Sequence, residues 1–316
     1  MEPASPHHPP LELTIRCGLE FVYQTQQPTP AIFLVRPQSG LKQVIEEERL
    51  SFNPHVEAVE FPDVHGNIVH RVVLPMGTTT LRYDSLVAVP AARENGDAVD
   101  GPVPVPDLPP EILRYTLPSR YCDSDKLLDF AFQQFGNVPQ GLPRVQAICD
   151  WVHKNIEYRW GAGSPLFSAA DIIGQRFGVC RDFAHSAIAL CRCFNIPARY
   201  VTGYVPDVAF KDPGTPMDFH AYFQVYVGQK WQTFDARFNV PRVGRVHISY
   251  GLDAVDAAFS TIYGAADLTL FNVWAYQVDP QQVTLDDPVD LTKRLDGTVE
   301  LRIPKPVGDA ARSFAA

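Results

Sequence analysis

The hydrophobic pattern changes its period near residue 110, and this change limits the folds that the chain can adopt. Before it, apolar and polar residues alternate with a period of two, as half-buried β-strands require. After it, apolar residues recur every three or four positions, as on one face of an α-helix. Between the two patterns, residues 90–110 hold six prolines, which favours a stiff linker or a segment lying over the surface. A chain of 316 residues is long enough for two domains.

The first ninety residues predict an antiparallel sandwich or barrel. Turn signals such as Asn53-Pro54 and His65-Gly66-Asn67 separate short segments with the alternation of strands. These segments are 11–16, 32–35, 56–61, 68–74 and 79–89. Many short strands with frequent turns are typical of an all-β domain.

The second part of the chain predicts an α+β domain, because helical patterns precede strand-like ones. The predicted helices are 124–135 with Asp123 or Ser124 as its cap, 143–156 opened by Pro143, a short helix capped by Ser168, and one from Cys180 that ends before Pro197. The predicted strands are 198–205, 219–227, 230–235, 245–250 and 268–278.

Charge and composition argue against several classes of function. The net charge of −9 offers no basic field to a phosphate backbone, so we expect no nucleic-acid partner. No apolar run approaches the roughly 18 residues of a membrane span, so we expect no membrane partner. The first ten residues lack the basic and apolar regions of a signal peptide. We therefore expect a cytoplasmic protein whose six cysteines are mostly reduced.

The usual cofactor and metal motifs are missing from the sequence. It contains no phosphate-binding loop, no dinucleotide-binding glycine fingerprint and no His-Glu-x-x-His zinc helix. Cys191 and Cys193 are two positions apart, so on a helix their side chains point to different faces. We therefore expect neither a cofactor nor a metal.

Cys180 is the candidate nucleophile. It follows Gly178, which permits a tight turn, and it opens a helix whose apolar stripe includes Phe183 and Leu190. A helix N-terminus stabilises an anion and lowers the pKa of a thiol below the free value of about 8.5. The other five cysteines are interpreted as core packing. A nucleophilic thiol also needs a base.

A predicted β-hairpin brings a base and a carboxylate to the same face. Between residues 219 and 227 an apolar face alternates with an amphipathic face that begins at His220. Gly228-Gln229 is typical of a two-residue turn of the Gly-first type. In that register Tyr222 faces Asp235, so His220 and Asp235 are diagonal neighbours roughly 7–8 Å apart at the backbone. A slip of one residue would move Asp235 to the opposite face.

These residues form a hypothetical catalytic set. His220 would take the proton of Cys180 and later return one to the leaving group, while Asp235 would hold the imidazole tautomer. The backbone N–H of Cys180 is a candidate donor to a developing oxyanion. The candidates for a second oxyanion donor are Tyr158 and Trp160, and the reserve candidates for the orienting acid are Asp182 and Asp218.

Four stretches of the sequence resemble bacterial transglutaminase-like proteins. They are residues 178–185, 195–204, 218–222 and 231–237. The resemblance implies a papain-like α+β core with Cys180, His220 and Asp235 as its triad, and a preceding β domain to which residues 63–67 are similar. Two departures are expected to reshape the acyl pocket: Tyr222 stands where many members carry Trp, and Ala236-Arg237 replaces the commoner Pro-Thr or Pro-Ser.

The domain boundaries follow from the patterns and the resemblance. We predict a β-sandwich-like domain at 1–90, a proline-rich linker at 91–110, a transglutaminase-like catalytic core at 111–280 and an extension at 281–316. Within the extension, residues 298–303 either return as a strand or lie loosely on the surface.

Three functions are compatible with this sequence. The leading hypothesis is cleavage of an amide or peptide bond through an acyl-enzyme on Cys180, with a peptide or protein as substrate. The alternatives are transglutaminase-type acyl transfer from Gln to an amine, and a non-catalytic binding or scaffold protein. The superfamily contains all of these, so fold and triad do not choose among them. The oligomeric state is left open.

Overall fold

The structure is a computed structural model that describes residues 11–40, 42–95, 101–210 and 217–296. The strands in these ranges are β1 (Leu11–Thr25), β2 (Thr29–Phe33), β3 (Val44–Asn53), β4 (Val59–Pro62), β5 (Ile68–Leu74), β6 (Gly77–Pro90), β7 (Glu157–Tyr158), β8 (Phe177–Gly178), β9 (Ala198–Tyr204), β10 (His220–Val227), β11 (Lys230–Phe234), β12 (Val246–Gly251), β13 (Ser260–Ile262) and β14 (Ala266–Val278). The α-helices are α1 (Pro110–Leu113), α2 (Leu128–Phe135), α3 (Leu142–Asn155), α4 (Ala169–Gln175) and α5 (Cys180–Arg192). The predicted α+β class is confirmed.

Two four-stranded antiparallel sheets form a β-sandwich. One has the strand order β14-β1-β6-β3 and the other β13-β2-β5-β4. Phe21 and Phe271 of the first sheet share a buried core with Phe33 of the second, as inward-facing residues of packed sheets do. The sandwich contains strands from distant parts of the sequence, because β14 pairs along most of β1. Residues 268–278, expected within the catalytic core, therefore belong to a sandwich sheet.

Two sandwich strands, β3 and the three-residue β13, have no counterpart among the predicted segments. β3 runs from Val44 to Asn53 and pairs with β6 at the edge of its sheet. Three consecutive glutamates interrupt its apolar alternation. Charged residues are common on edge strands because they discourage pairing with a second molecule. A pattern based on burial alone misses such a strand.

A third antiparallel sheet lies between the helices and the sandwich. Its strand order is β11-β10-β9-β12. Phe223 and Val225 of β10 pack in one core with residues of α3 and α5. Tyr204 of β9 and Val246 of β12 pack in the core of the sandwich. This sheet therefore connects the two halves of the molecule.

The β10–β11 hairpin has the predicted register. Val227 pairs with Lys230 and Tyr226 pairs with Trp231. Gly228 and Gln229 both have a φ of 61°. Positive φ at both central positions defines a type I′ turn, so the predicted Gly-first type is wrong although the loop length is right.

The helices begin close to their predicted starts. α5 begins at Cys180, and α4 follows its cap Ser168, whose backbone N–H donates to Asp171 at 2.9 Å. The predicted helix 124–135 is shorter, because a 3₁₀ turn at Ser124–Lys126 precedes α2. Asp123 accepts a hydrogen bond from the N–H of Ala170 at 3.1 Å, so it supports the start of α4.

The described parts of the proline-rich segment and of the C-terminal extension lie against the rest of the protein. Asn95 exchanges hydrogen bonds with the backbone of Thr233 on β11. Val283 and Leu285 pack against Trp274 of β14. The possible strand at 298–303 lies outside the described residues. None of the described helices has the length and apolar character needed to cross a membrane.

Candidate active site

Cys180 stands at the first position of α5. Asp182 caps the helix by accepting the backbone N–H of Val179 at 2.9 Å, and it also pairs with Arg181 at 3.3 Å. The carboxylate of Asp182 therefore makes its contacts at the start of α5 and does not orient His220. Gly178 is required by close packing, since a Cβ there would come within 2.7 Å of the side chain of Asp182. The N–H of Cys180 has no acceptor among the described residues, as expected at a helix start.

Burial raises the pKa of the Cys180 thiol to about 11. The neighbouring carboxylate of Asp218 raises it further, whereas the backbone N–H of Ala221 and the cation of Arg237 lower it. The expectation of a lowered thiol pKa is therefore wrong for this structure. Burial and a like charge outweigh the helix N-terminus, and the thiol is neutral at neutral pH.

His220 and Asp235 form a buried hydrogen-bonded pair. Nε2 of His220 lies 2.7 Å from Oδ2 of Asp235, and each residue is only 5% exposed. An ionised carboxylate only accepts hydrogen bonds, so Nε2 carries the proton and Nδ1 of the neutral ring is the basic nitrogen. Burial lowers the pKa of His220, while Asp235 opposes that shift. The imidazole is therefore neutral in the resting site and able to accept a proton.

Four groups hold Asp235 in place. Its Oδ1 accepts the backbone N–H groups of Arg237 at 3.1 Å and Phe238 at 3.2 Å. Its Oδ2 accepts from His220 and from Arg245, the latter at 3.3 Å. Burial alone would raise the pKa of Asp235, but His220 and Arg245 bring it well below its usual range. The carboxylate therefore stays charged.

Arg245 and Glu94 support the site, and neither was predicted from the sequence. Arg245 is buried and forms an ion pair with Glu94, which lies in the proline-rich segment. The guanidinium of Arg245 also stacks 4.0 Å from the ring centre of Tyr222. The hydroxyl of Tyr222 lies 2.7 Å from Nδ1 of His247, so this departure from Trp has a hydrogen-bond partner of its own. No local sequence signal links Glu94 to the site, because its partner is 151 positions away.

Cys180 and His220 line the same open cleft. The predicted oxyanion candidates Tyr158 and Trp160 line it too. The ring of Tyr158 packs against Phe183, and its hydroxyl makes no hydrogen bond within the described ranges. Burial raises the pKa of Tyr158, so the hydroxyl keeps its proton and remains a donor.

Asp218, the second reserve candidate for the orienting acid, also lines this cleft. Its carboxylate makes no ion pair with His220 in the described structure, since Asp235 takes that place. Burial raises the pKa of Asp218 to about 7. Asp218 is therefore placed to change the charge of the cleft near neutral pH, not to orient the imidazole.

A thiol–imidazole hydrogen bond and a metal-binding cluster are both absent from the described part of the structure. No hydrogen bond joins the sulfur of Cys180 to His220. Within the same residue ranges, no group of three His, Cys, Asp or Glu side chains is placed to hold a metal ion. The groups that come together are a thiol, an imidazole and a carboxylate.

Comparison with known proteins defines the class to which this fold and site belong. A family model for the transglutaminase-like superfamily matches residues 129–236, which include all three predicted triad residues. A crystal structure described as "a Putative Cysteine Protease from Cytophaga hutchinsonii" superposes with a TM-score of 0.77 at 38% identity. The similarity covers 84% of this chain and 91% of that one. The chain therefore belongs to the transglutaminase-like superfamily, and the predicted family is confirmed.

Similar sequences also occur in mycobacteria. An uncharacterized protein of Mycobacterium leprae is 24% identical over 262 residues, covering 78% of this chain and 92% of the relative. An uncharacterized protein of Mycobacterium tuberculosis is 28% identical over 194 residues, covering 54% of this chain and 57% of the relative. The names of these two relatives specify no reaction.

Proposed function

We propose that the protein cleaves an amide or peptide bond through a thioester on Cys180. The observation that carries this proposal is that Cys180 and His220 line the same cleft, where His220 is hydrogen-bonded to Asp235 at 2.7 Å. A thiol, a neutral imidazole and a buried carboxylate are the parts that nucleophilic catalysis requires. Membership of the superfamily supports the same chemistry.

The first half of the reaction forms the thioester. The sulfur of Cys180 attacks the substrate carbonyl carbon while its proton passes to Nδ1 of His220. The C–N bond then breaks, and the imidazolium returns that proton to the departing amine nitrogen. Asp235 stabilises the imidazolium between these two transfers. The resting thiol is neutral and makes no hydrogen bond to the imidazole. In this mechanism Cys180 and His220 therefore come into hydrogen-bond contact when substrate binds.

The second half resolves the thioester. A water molecule attacks its carbonyl carbon and gives a proton to His220, the C–S bond breaks, and the sulfur recovers a proton. The products are a carboxylic acid and the free thiol. If an amine attacks in place of water, the same intermediate gives an amide, which is the transglutaminase reaction.

The backbone N–H of Cys180 and the hydroxyl of Tyr158 are proposed to stabilise the oxyanion of both tetrahedral intermediates. The N–H lies at a helix start, where the dipole favours negative charge. The Tyr158 hydroxyl keeps its proton and makes no other hydrogen bond to the described residues. Trp160 lines the same cleft and is the alternative donor.

The decisive experiment compares wild-type protein with Cys180→Ala. Both are incubated with a mixture of peptides, with and without a labelled primary amine, and the products are identified by mass spectrometry. We expect the wild type to release carboxylic acids and Cys180→Ala to release none. Cys191→Ala is the matched control, because it removes a buried thiol on the same helix and should retain activity.

Each other outcome favours a different function. Incorporation of the labelled amine would support acyl transfer. Absence of any product and of any thioester would support the scaffold hypothesis. Turnover that persists in Cys180→Ala would refute the proposal.

A cytoplasmic location stays a prediction. It is in line with the six cysteines, which are all free thiols, and cell fractionation tests it.

A further inference from the structure

Arg237 is a cation in the cleft whose guanidinium forms no ion pair with a carboxylate of the described residues, although its charge acts on the nearby Asp218. It lines the cleft together with Cys180 and His220. No carboxylate of the described residues lies within 4.0 Å of its guanidinium, and the guanidinium makes no hydrogen bond to them. By contrast, Arg242 in the same cleft pairs with Asp207 at 3.3 Å.

The guanidinium of Arg237 is held by aromatic rings. Its central carbon lies 3.5 Å from the ring centre of Tyr158 and 4.6 Å from that of Phe238. Stacking of this kind fixes the plane of the guanidinium and leaves its N–H groups free to donate along the edge. Arginine therefore has a preferred orientation here before any ligand binds.

The backbone of Arg237 is fixed as well. Its N–H donates to Oδ1 of Asp235 at 3.1 Å, and its carbonyl oxygen lies 2.7 Å from Nδ1 of His153 on α3. Asp235 thus positions both His220 and Arg237. A cation anchored to the same carboxylate as the general base keeps a constant position relative to the reacting atoms.

We propose that Arg237 binds a carboxylate of the substrate beside the bond that is cleaved. The inference rests on the proposed function and narrows its substrate class to acidic peptides. A planar guanidinium matches a carboxylate with two parallel N–H···O bonds, which a lysine cannot do.

The first test uses Cys180 as the reporter and needs no substrate. Iodoacetate and iodoacetamide alkylate a thiol by the same chemistry, but iodoacetate carries a carboxylate. We measure both rate constants at pH 8 by mass spectrometry and take their ratio. Arg237→Gln should lower the ratio of iodoacetate to iodoacetamide by about 3- to 10-fold, as expected for one charge partly screened by solvent. Arg159→Gln is the control, since that exposed cation pairs with Glu157 and does not line the cleft.

The second test uses two peptides that differ only by Glu or Gln next to the scissile amide. We expect the wild type to cleave the Glu peptide with a kcat/KM about 10- to 100-fold higher, from the strength of hydrogen bonds to a charged group. Arg237→Gln should abolish this preference. Arg237→Lys should keep part of the preference for Glu, because lysine retains the positive charge but cannot form the two parallel hydrogen bonds of a guanidinium. Thermal unfolding measurements check that each variant is folded. If Arg237→Gln is not folded, the comparison is made with Arg237→Lys alone.

The outcomes separate this inference from the function on which it rests. An alkylation ratio that is the same in wild type and in a folded Arg237 variant overturns the inference alone. So does a Glu preference that survives the loss of Arg237. If neither reagent reaches Cys180 in the folded wild type and both label it after unfolding, the proposed function falls together with the inference.

Discussion

Replacing Asp235 with Asn tests the central pair of the site. The substitution keeps the size and shape of the side chain and removes one buried negative charge. The proposed mechanism passes through an imidazolium on His220, so the variant lacks the charge that stabilises this state. It also leaves the cation of Arg245, which lies 3.3 Å from Asp235 in the wild type, beside the imidazolium, and among the described residues Glu94 is then its remaining ion-pair partner. We therefore expect a large loss of kcat and a small change in KM.

The size of the loss follows from the geometry. Nε2 and Oδ2 are 2.7 Å apart, which places the centres of the two charges about 4 Å apart. At an effective dielectric constant of about 20, two unit charges at about 4 Å attract by about 4 kcal/mol. About 1.4 kcal/mol corresponds to a tenfold change in rate, so kcat should fall about 10³-fold.

The assay measures kcat and KM on the peptide that gives the highest turnover with the wild-type protein. Asp218→Asn is the matched control, because Asp218 lines the same cleft without pairing with His220. It should change kcat by less than about tenfold. A folded Asp235→Asn protein that keeps its kcat within tenfold of the wild type would refute the assignment of Asp235 as the partner of the catalytic base.

The other predictions concern the oxyanion and the charge of the thiol. Tyr158→Phe should lower kcat by about 10²- to 10³-fold if its hydroxyl is an oxyanion donor, with KM little changed, and an unchanged kcat would leave Trp160 as the donor. Asp218→Asn should speed alkylation of Cys180 at pH 9, because the Asp218 carboxylate raises the pKa of the thiol. The pKa of Asp218 is raised to about 7, so the stability linked to its protonated form is present below about pH 4 and lost as pH rises through 7. The stability of the wild type relative to Asp218→Asn should thus fall over that range in urea titrations. Alkylation of wild-type Cys180 by iodoacetamide should keep rising above pH 9, and a plateau below pH 8 would contradict the raised thiol pKa.

The part of the site that was predictable from the sequence depends on local periodicity. The alternation in β10 and a two-residue turn are enough to set the hairpin register, and the register places Asp235 beside His220. The helix that begins at Cys180 follows from its apolar stripe and from Pro197 beyond its end. These rules act over a few residues, so the sequence contains all that they need.

The supports of the site were not predictable, because they come from distant segments. Glu94 was assigned to a linker, yet it pairs with Arg245, which in turn holds Asp235. The face of β10 that begins at His220 was predicted only to be amphipathic, whereas Tyr222 on that face is fully buried and its hydroxyl lies 2.7 Å from Nδ1 of His247. Buried polar networks need partners that are brought together only by the fold, and single-sequence patterns do not encode such pairings.

The thiol of Cys180 shows how a correct local rule is outweighed by its surroundings. A helix N-terminus stabilises a nearby anion by about 0.3–1 kcal/mol, which is less than one pKa unit. The loss of solvation at the wall of the cleft and the carboxylate of Asp218 act in the opposite direction and raise the pKa of the thiol to about 11. A thiol kept neutral in the resting site reacts slowly with oxidants and alkylating reagents at neutral pH, since both act on the thiolate. Its activation then depends on His220, and the substrate that brings the two groups together determines when the nucleophile forms.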